Sequence, residues 1–506
     1  MIALPYIPNR NIFYGWQLLQ MYLGIDIGTS AVKAAVVDDT GSVVDQASAA
    51  LKVSRPHPLW SEQNPADWWS AANNAVSGLR LPVRNAVRAI GLTGQMHGAT
   101  LLNKQRQALR PAILWNDGRS AEQCAELEAA VPEMATITGN RAMPGFTAPK
   151  LLWVRRHEPN IFAETALVLL PKDYVRLRMT GETASDMSDS AGTLWLNVAQ
   201  RRWSHTMLAA TGLDESHMPA LSEGNEITGE LRAEIAEAWG MSRVPVVAGG
   251  GDNAAGAIGV GVVRPGDAFL SLGTSGVLFL ANDGYRPNPA GGVHTFCHAV
   301  PKHWHQMSVI VSAASCVDWA ARLCGLGQAS ALFAAAEARG KPSAAEIFLP
   351  YLSGERTPHN DPSAQGVLFG LTQETSPAHI AQAVLEGVAF AFRDGMDALL
   401  ASGASINSIS VIGGGARSLY WGNILSSVLR QPLTYRDSGA VGPAYGAARL
   451  ARMGKEQASI EDVCTPPPIL HVAEPDERLA DQYGESLRRY RALYQNLKSL
   501  FSETRP

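Results

Sequence analysis

The pattern of apolar and polar positions divides the chain into two similar halves. Residues 21–27, 31–37 and 43–51 predict three strands, because short apolar runs alternate with turn residues. Residues 25–32 contain an apolar run, a Gly-Thr-Ser turn and a second apolar run, and residues 270–277 repeat that arrangement. Each copy predicts a β-hairpin at the start of a half. Two such turns facing each other across a cleft would suit a polyphosphate.

A glycine-rich segment lies between the two hairpins. Residues 244–261 run from an apolar stretch through three glycines to Asp252, Asn253 and a small-residue helix pattern. This order predicts a strand, a tight turn and a helix. Ligands of open α/β sheets bind at the carboxyl ends of strands, so Asp252 is a candidate functional residue. A helix N-cap is the structural alternative for the same side chain, and it is compatible with the functional role.

Two further strand ends in the first half carry polar residues. A buried strand over residues 89–93 leads to Met96 and His97, which lie between glycines. Taken alone, this segment is more typical of a structural turn than of a binding site. A methionine and a histidine would nevertheless present an apolar wall and a polar tip to a ligand.

The second of these strand ends spans residues 114–119. It contains Trp115, Asp117 and Arg119, an aromatic residue, an acid and a base. These groups suit a sugar, which has apolar faces and hydroxyl edges.

Helices are predicted at several places. Asn64 and Pro65 open one helix, since asparagine caps well and proline suits the first helical position. Residues 145–157 predict another, in which Lys150 and Trp153 are expected to pack rather than act in chemistry. A long helix is expected over residues 379–400, and a charged one after Pro475 ends the chain.

A second triple glycine lies near the end of the second half. Residues 411–415 predict a strand that ends in Gly413, Gly414 and Gly415, before a helix from Ser418. Backbone without side chains would let a flat base approach closely.

Four histidines and Cys297 lie within residues 294–305, a grouping that could form a metal site. Pro301 and Lys302 predict a turn between two strands, however, and alternation along strands places neighbouring side chains on opposite faces. A hairpin is therefore favoured over a zinc site.

The composition of the 506 residues is that of an ordinary globular protein, with 46% hydrophobic and 17% charged residues. At roughly 150 residues a domain, this length predicts about three domains, although larger single domains are common. The formal net charge is −4 and no long basic run occurs, which argues against nucleic acid and anionic membranes as partners. No apolar run is long enough to span a membrane. Five cysteines without a Cys-x-x-Cys motif favour a reducing, cytoplasmic compartment.

The first strand begins only at Met21. Residues 1–20 lack the basic start and apolar core of a secretion signal. We expect a disordered extension or the product of an upstream start site, with an arm covering a neighbouring molecule as the alternative. The motifs of P-loop, Rossmann, protein-kinase, α/β-hydrolase and zincin proteins are missing from the sequence.

Two longer segments identify the chain as a member of the FGGY family of carbohydrate kinases, within the actin and sugar-kinase superfamily. Residues 145–154 resemble the first signature of the family and residues 366–386 the second. The resemblance runs from Met21 to the C-terminal region. Within the family, three short segments are most similar to those of members that phosphorylate xylulose: residues 94–98, 249–253 and 354–362.

The resemblance implies an α/β fold of two ribonuclease-H-like domains around a central cleft. We place the N-terminal domain, with sugar and phosphate sites, at residues 21–262. The C-terminal domain, with the nucleotide site, is expected at residues 263–506. The extension, residues 1–20, lies outside both. Small-molecule sugar and ATP are the implied partners, and the formation of a homodimer is left open.

The functional residues of the family carry over onto matching positions. Asp252 matches the catalytic base, and Asp26 matches an acid needed for activity, which would hold Mg²⁺ through water. The sugar-binding residues are Met96, His97, Asp252 and Asn253, to which Trp115 is added from its strand-end position. The positions that match the phosphate turns and the adenosine site for ATP are Gly28, Thr29, Ser30, Gly273, Thr274, Ser275, Gly413, Gly414, Gly415 and Asn423. The sequence departs from the family pattern near Ser427, where relatives often carry an acid. This difference puts details of nucleotide binding in question.

The implied reaction is phosphoryl transfer from MgATP to the terminal hydroxyl of D-xylulose, giving D-xylulose 5-phosphate in xylose breakdown. Such transfer needs alignment and charge neutralisation more than covalent help, so a base of ordinary pKa suffices at Asp252. A kinase for ribulose, gluconate or glycerol is the nearer alternative. An actin-like ATPase without a sugar substrate is the alternative from another class.

Overall fold

The computed structural model describes residues 20–343, 345–437 and 442–503. Residues 1–19, most of the extension set apart above, lie outside the described residues. Within them, two seven-stranded sheets carry most of the helices, one sheet in each half of the chain.

The first half follows the predicted strands and helices closely. Its elements are β1 Met21–Ile27, β2 Ala31–Asp38, β3 Val43–Ala50, β4 Glu62–Gln63, α1 Pro65–Ser77, α2 Leu81–Asn85, β5 Val87–Gly94, β6 Thr100–Leu102, β7 Ala112–Ile113, α3 Ala121–Ala130, α4 Met134–Thr138, α5 Thr147–His157, α6 Pro159–Glu164, β8 Leu167–Leu169, α7 Pro171–Thr180, β9 Ala184–Asp186, α8 Met187–Ala191, β10 Leu196–Asn197, β11 Arg202–Trp203, α9 His205–Thr211, β12 Ala220–Ser222, β13 Ile227–Glu230, α10 Ala233–Trp239, β14 Pro245–Val247, β15 Gly250–Gly251 and α11 Asp252–Gly259.

The second half repeats the hairpin and then adds longer helices. Its elements are β16 Asp267–Leu272, β17 Gly276–Asn282, β18 His294–Cys297, β19 Trp304–Ile310, α12 Ala314–Leu323, α13 Ala329–Arg339, β20 Ile347–Leu349, β21 Val367–Phe369, α14 Pro377–Leu400, β22 Ser408–Ile412, α15 Leu419–Leu429, β23 Leu433–Arg436, α16 Pro443–Glu456, α17 Ile460–Val463, β24 Ile469–Ala473 and α18 Glu477–Glu503.

The two sheets share the order of their five central strands, β3-β2-β1-β5-β14 in the first and β19-β17-β16-β22-β23 in the second. In the first, the strand order is β13-β14-β5-β1-β2-β3, with β1 antiparallel to β2 and parallel to β5. In the second, the order is β18-β19-β17-β16-β22-β23-β24, with β16 antiparallel to β17 and parallel to β22. The duplication predicted from the two Gly-Thr-Ser hairpins is therefore present in the strand pairing.

Local sequence accounts for the start of several helices. The Asn64 side chain accepts a hydrogen bond from the N–H of Ala66, and Pro65 takes the first position of α1. Ser376 and His379 form a capping box at the start of α14, again with a proline in the first position. No helix among the described residues is long and apolar enough to cross a membrane.

Helix α16 belongs to the second half by sequence but packs on the first sheet, against β1 and β5. Glycines make this approach possible. A Cβ at Gly24 would lie 1.7 Å from the carbonyl oxygen of Ala444, and one at Gly91 would lie 1.9 Å from that of Ala447. The packing of α16 therefore joins the two halves of the chain on either side of the domain boundary expected near residue 262. The boundary itself stays a prediction.

Candidate active site

A cavity of about 240 Å³, called the small cavity below, lies between the two halves of the chain. It is smaller than the ~300–1,000 Å³ of sites for drug-sized ligands, which suits a small substrate. Its lining brings together six of the residues expected at the site, five from the first half and one from the second: Met96, His97, Trp115, Asp252, Asn253 and Ser275.

A second cavity, of about 580 Å³ and called the large cavity, adjoins the first. Gly413 and Gly414 from the second triple glycine line it, as expected. Asp252 and Asn253 line it as well, so these two residues lie at the junction of both cavities. This placement puts one carboxylate between a small-ligand site and a site large enough for a nucleotide.

The strand, turn and helix predicted around Asp252 are present as β14, β15 and α11. Gly249 has φ of +81°, and a Cβ there would lie 1.8 Å from the carbonyl oxygen of Leu92. Only glycine fits such a turn. The N-cap of α11 is Gly251, so the interpretation of Asp252 as N-cap was wrong by one position. Its carboxylate instead accepts hydrogen bonds from the backbone N–H and the side-chain amide of Asn253, at 2.7 and 3.0 Å.

Burial dominates the electrostatics of the two candidate acids. It raises the pKa of Asp252 to about 6, although the hydrogen bonds from Asn253 act in the opposite direction. Burial also raises the pKa of Asp26 to about 7, with a further contribution from the negative charge of Asp252 and an opposing one from Lys33. Burial thus raises the pKa of both carboxyls, and Asp252 does not have the ordinary pKa that was expected for it from sequence.

The first Gly-Thr-Ser turn connects β1 and β2. The Thr29 hydroxyl donates to Gln95 Oε1 at 2.9 Å and accepts from Trp115 Nε1 at 3.0 Å. Both functions of this hydroxyl are thus occupied within the protein, contrary to the expectation that it would be offered to phosphate. The backbone N–H groups of Thr29 and Ser30 donate to no other described residue. They are therefore the hydrogen-bond donors that this turn can offer to a phosphate.

The second turn, between β16 and β17, is held from one side by the start of α12. The carbonyl of Gly273 accepts from the N–H of Ala314, and that of Thr274 from the N–H of Ala313, both at 2.9 Å. In a planar trans peptide the N–H points away from the carbonyl. The N–H groups of Thr274 and Ser275 therefore point away from α12, and Ser275 lines the small cavity.

The nucleotide-side residues divide into two groups. Gly413 and Gly414 line the large cavity, and Gly413 has a φ of +93°. A Cβ added at Gly414 would have no atom within 4 Å, so the space next to this glycine is open. Gly415 is buried under Trp421, and Asn423 is exposed on α15, so neither is brought to the cavity lining.

The departure noted at Ser427 also lies away from the large cavity. The Ser427 hydroxyl donates to the carbonyl of Asn423 at 2.8 Å and accepts from the N–H of Asp476 at 3.1 Å. Ser427 therefore joins α15 to the start of α18 and has a packing role.

His97 is fixed in one orientation. Its Nδ1 lies 2.7 Å from the carbonyl oxygen of Gly192, which can only accept, so Nδ1 carries the hydrogen. Burial lowers the pKa of His97 to about 3, with help from the charges of Lys150 and Arg356, and the ring is neutral. Only Nε2 remains, and it can only accept. A neutral histidine can in general both donate and accept, but the polar tip that His97 offers to a sugar here is an acceptor alone.

Lys150 was expected only to pack, and the structure gives it a positioning role. Its ammonium donates to the carbonyls of His97 and Gly145, at 2.8 and 2.7 Å. Burial lowers the pKa of this lysine to about 7. The lysine therefore holds two backbone segments of the small cavity in place. No local sequence pattern predicts this role.

Asp117 and Arg119 do not reach the cavity, contrary to the expectation from their strand-end position. They pair with each other at 2.7 Å, and Arg119 also pairs with Glu62 at 2.8 Å. The guanidinium stacks on Trp60, 3.6 Å from the ring centroid. Partners from another segment thus bury this pair, and Trp115 alone of the three lines the site.

Phe146, His294 and Arg356 are among the residues of the small cavity that sequence analysis did not assign to the site. Phe146 lies within the first family signature, residues 145–154. Its ring packs edge-on against the rings of His97 and His294. Arg356 lies in the polar loop after Gly354, a segment noted for its family likeness without a role for the arginine.

The histidine-rich segment forms the β18–β19 hairpin, as predicted. The histidine rings pack among phenylalanines; His305, for example, stacks on Phe279 with centroids 4.4 Å apart. Among the residues that the structure describes, no group of three or more histidine, cysteine, aspartate or glutamate side chains is arranged to hold a metal ion.

Comparison with known proteins agrees with this geometry. Residues 21–259 match the N-terminal domain of the FGGY family of carbohydrate kinases, and residues 268–454 match its C-terminal domain. The chain belongs to this family, and it is an ATP-dependent sugar kinase with the two-domain fold expected from the resemblance. An actin-like ATPase without a sugar substrate is thereby set aside.

Individual relatives within this family include several xylulose kinases. The chain is 55% identical to the xylulose kinase of Escherichia coli K12 over 484 residues, which are 95% of this chain and 100% of that protein. It is 34% identical to the xylulose kinase of Bacillus subtilis 168 over 494 residues, 96% of this chain and 98% of that one. Among solved structures, a xyloylose kinase from Brucella ovis superposes with a TM-score of 0.92 at 50% identity, covering 95% of this chain and 100% of that chain.

Proposed function

We propose that this protein transfers the terminal phosphoryl group of ATP to the terminal hydroxyl of D-xylulose, with Asp252 as the general base. The observation that carries the proposal is the position of Asp252 at the junction of the small and large cavities. The xylulose kinase names of the most similar relatives support the choice of sugar. The product is D-xylulose 5-phosphate.

The side chains around the junction account for the steps. Asp252 accepts the proton of the attacking hydroxyl, while the amide of Asn253 fixes its carboxylate. Met96 and Phe146 supply apolar walls for the carbon chain, and His97 Nε2 accepts from a hydroxyl. The N–H groups of the two Gly-Thr-Ser turns bind phosphate oxygens without adding charge. A site that closes around the sugar excludes water, which would otherwise take the phosphoryl group.

The pair of Asp26 and Asp252 also fits a magnesium ion. Asp26 is buried, and the negative charge of Asp252 raises its pKa further, so a nearby cation would stabilise both carboxylates. We propose that Asp26 holds Mg²⁺ through water, because this ion keeps much of its hydration in proteins. The ion would neutralise charge on the phosphate oxygens.

A cytoplasmic location is part of the proposal. All five cysteines are unpaired, and four of them are buried. A reducing compartment, in which thiols persist, suits such a chain.

The experiment is a substrate panel in a coupled assay of ADP formation. D-Xylulose, D-ribulose, D-gluconate and glycerol are supplied in turn with MgATP, and kcat/KM is measured for each. We expect D-xylulose to give the highest value. A higher value for gluconate or glycerol would overturn the choice of sugar, and ADP formation that ignores every sugar would overturn the kinase mechanism.

A further inference from the structure

Arg356 places a cation in the small cavity. It lines the cavity together with His97 and Asp252. Its guanidinium forms no hydrogen bond or ion pair with any residue that the structure describes. A half-buried guanidinium normally finds an acceptor, so its donors are available to a ligand.

The backbone on both sides of Arg356 is fixed to β19 and its end. The carboxylate of Glu355 accepts from the N–H of Val311 at 3.0 Å. Thr357 donates through its N–H to the carbonyl of Val309 at 3.1 Å, and its hydroxyl oxygen accepts from the N–H of Val309 at 3.0 Å. These bonds pin the loop to a strand that itself lines the cavity, so the base of the arginine side chain is held in place.

Glu355 does not neutralise the arginine. Its Oε1 accepts from two backbone N–H groups, those of Val311 and Arg356, and burial raises its pKa to about 8. Neither oxygen of Glu355 accepts a hydrogen bond from the guanidinium of Arg356, so the donors of that group stay open to the cavity.

The other polar side chains of the cavity mainly accept. His97 retains only Nε2, an acceptor. His294 is in the same state, because its Nδ1 faces Asn140 Oδ1 at 3.3 Å and that amide donates elsewhere through its nitrogen. Asp252 is a carboxylate, and one of the two hydrogens of the Asn253 amide nitrogen is donated to it. The indole N–H of Trp115 is used by Thr29, and Ser275 can donate or accept. Arg356 is therefore the one cationic donor among the side chains that line the cavity.

A ketose has one polar atom that cannot donate, its carbonyl oxygen, while every hydroxyl can satisfy an acceptor. We propose that Arg356 binds the carbonyl oxygen at C2 of the ketose and so selects the open-chain ketose over the corresponding polyol. The inference rests on the proposed function, in which the hydroxyl at the far end of the same substrate lies at Asp252. Arg356 comes from the second half of the chain and His97 from the first, so the sugar contacts both halves.

The test compares D-xylulose with xylitol and D-arabitol, the two polyols formed when its carbonyl is reduced. In Arg356→Gln, kcat/KM for D-xylulose should fall about 10–100-fold, the usual effect of losing a hydrogen bond from a charged donor. The values for the polyols should change far less. Arg356→Lys retains a charged donor and should recover part of the preference for the ketose, and it carries the test if the Gln variant does not fold.

A matched control is Arg393→Gln, at a half-buried arginine on α14 that pairs with Asp397 at 2.9 Å outside the cavity. The ketose-to-polyol ratio should not change in this variant. Equal losses for ketose and polyols in Arg356→Gln, or a rise in KM for ATP alone, would overturn the inference. Absence of D-xylulose phosphorylation by the wild-type protein would instead overturn the proposed function itself. The wild-type assay thus separates a failure of the proposed function from a failure of the role of Arg356.

Discussion

The backbone N–H of Gly251 donates to the hydroxyl of Ser188 at 3.0 Å, and that hydroxyl donates in turn to the buried carboxylate of Asp186. Asp186 pairs with Lys172 at 2.8 Å, inside a cluster of buried charges. Arg176 donates from the same region to the carbonyl of Val247 at 2.9 Å. The turn that carries Asp252 is therefore anchored on a buried ionic network through its own backbone.

Ser188→Ala tests this anchor. The variant leaves the Gly251 N–H without an acceptor, which should lower kcat for the sugar about fivefold, a change of roughly 1 kcal/mol. KM for ATP should stay the same, since the large cavity is untouched. Steady-state kinetics with D-xylulose and ATP varied separately provide the measurement.

Ser190→Ala is the matched control, on the same helix. The Ser190 hydroxyl is also buried but donates to Ser185 at 3.0 Å and not to the turn. Both variants should lose similar stability in thermal melts, while only Ser188→Ala loses turnover. Equal turnover in the two variants would show that the anchor has no effect on catalysis.

His97→Ala tests the sugar contact. The loss of the accepting Nε2 should lower kcat/KM for D-xylulose by about 1–3 kcal/mol, since a buried hydroxyl of the substrate is left unpaired. KM for ATP should barely move. Parallel measurements with D-ribulose and a melting curve distinguish the roles: equal losses for both sugars with a lower Tm would make His97 a purely structural residue.

Asp26→Asn tests the burial of the charge of Asp26, close to Asp252. The folded protein holds a proton on Asp26 up to about pH 7, while the unfolded chain loses it near the ordinary value of 3.8. The wild-type protein therefore becomes less stable as pH rises through this window. The uncharged variant should be more stable above pH 7, by up to about 4 kcal/mol, and the gap should close below pH 4. Urea unfolding at pH 4 and pH 8 measures it, and a gap that does not depend on pH would contradict the raised pKa.

Deletion of residues 1–20 should change neither activity nor Tm. The strand pattern and β1 both begin at Met21, and chain ends without anchoring contacts are generally dispensable. Activity assays and thermal melts of the shortened and full-length proteins are compared. A Tm lower by several degrees in the shortened protein would mean that the extension packs on the enzyme.

Local patterns were sufficient for much of the fold. The hairpins at Gly28 and Gly273 and the turn at Gly249 were predicted because alternation, turn residues and glycine conformation act within a few residues. The strand order and the packing of α16 on the first sheet depend on contacts between distant segments, which no such pattern records.

The site was predicted less completely, for the same physical reason. Asp252 and Asn253 follow a glycine turn, a local signal, and they lie at the junction of the cavities. Arg119 was misassigned because Trp60 and Glu62, from another segment, cover it. The roles of Lys150 and Arg356 depend on which distant backbone or cavity the side chain reaches.

The most direct test of the account is Asp252→Ala, assayed for sugar phosphorylation and for nucleotide binding in the same preparation. Removal of the base should lower kcat for D-xylulose by ~10²–10⁴-fold. The Kd for ATP, measured calorimetrically without sugar, should stay close to the wild-type value, because the turns and the second triple glycine remain intact. A variant with near wild-type turnover would contradict the role of Asp252 as the base between the two cavities.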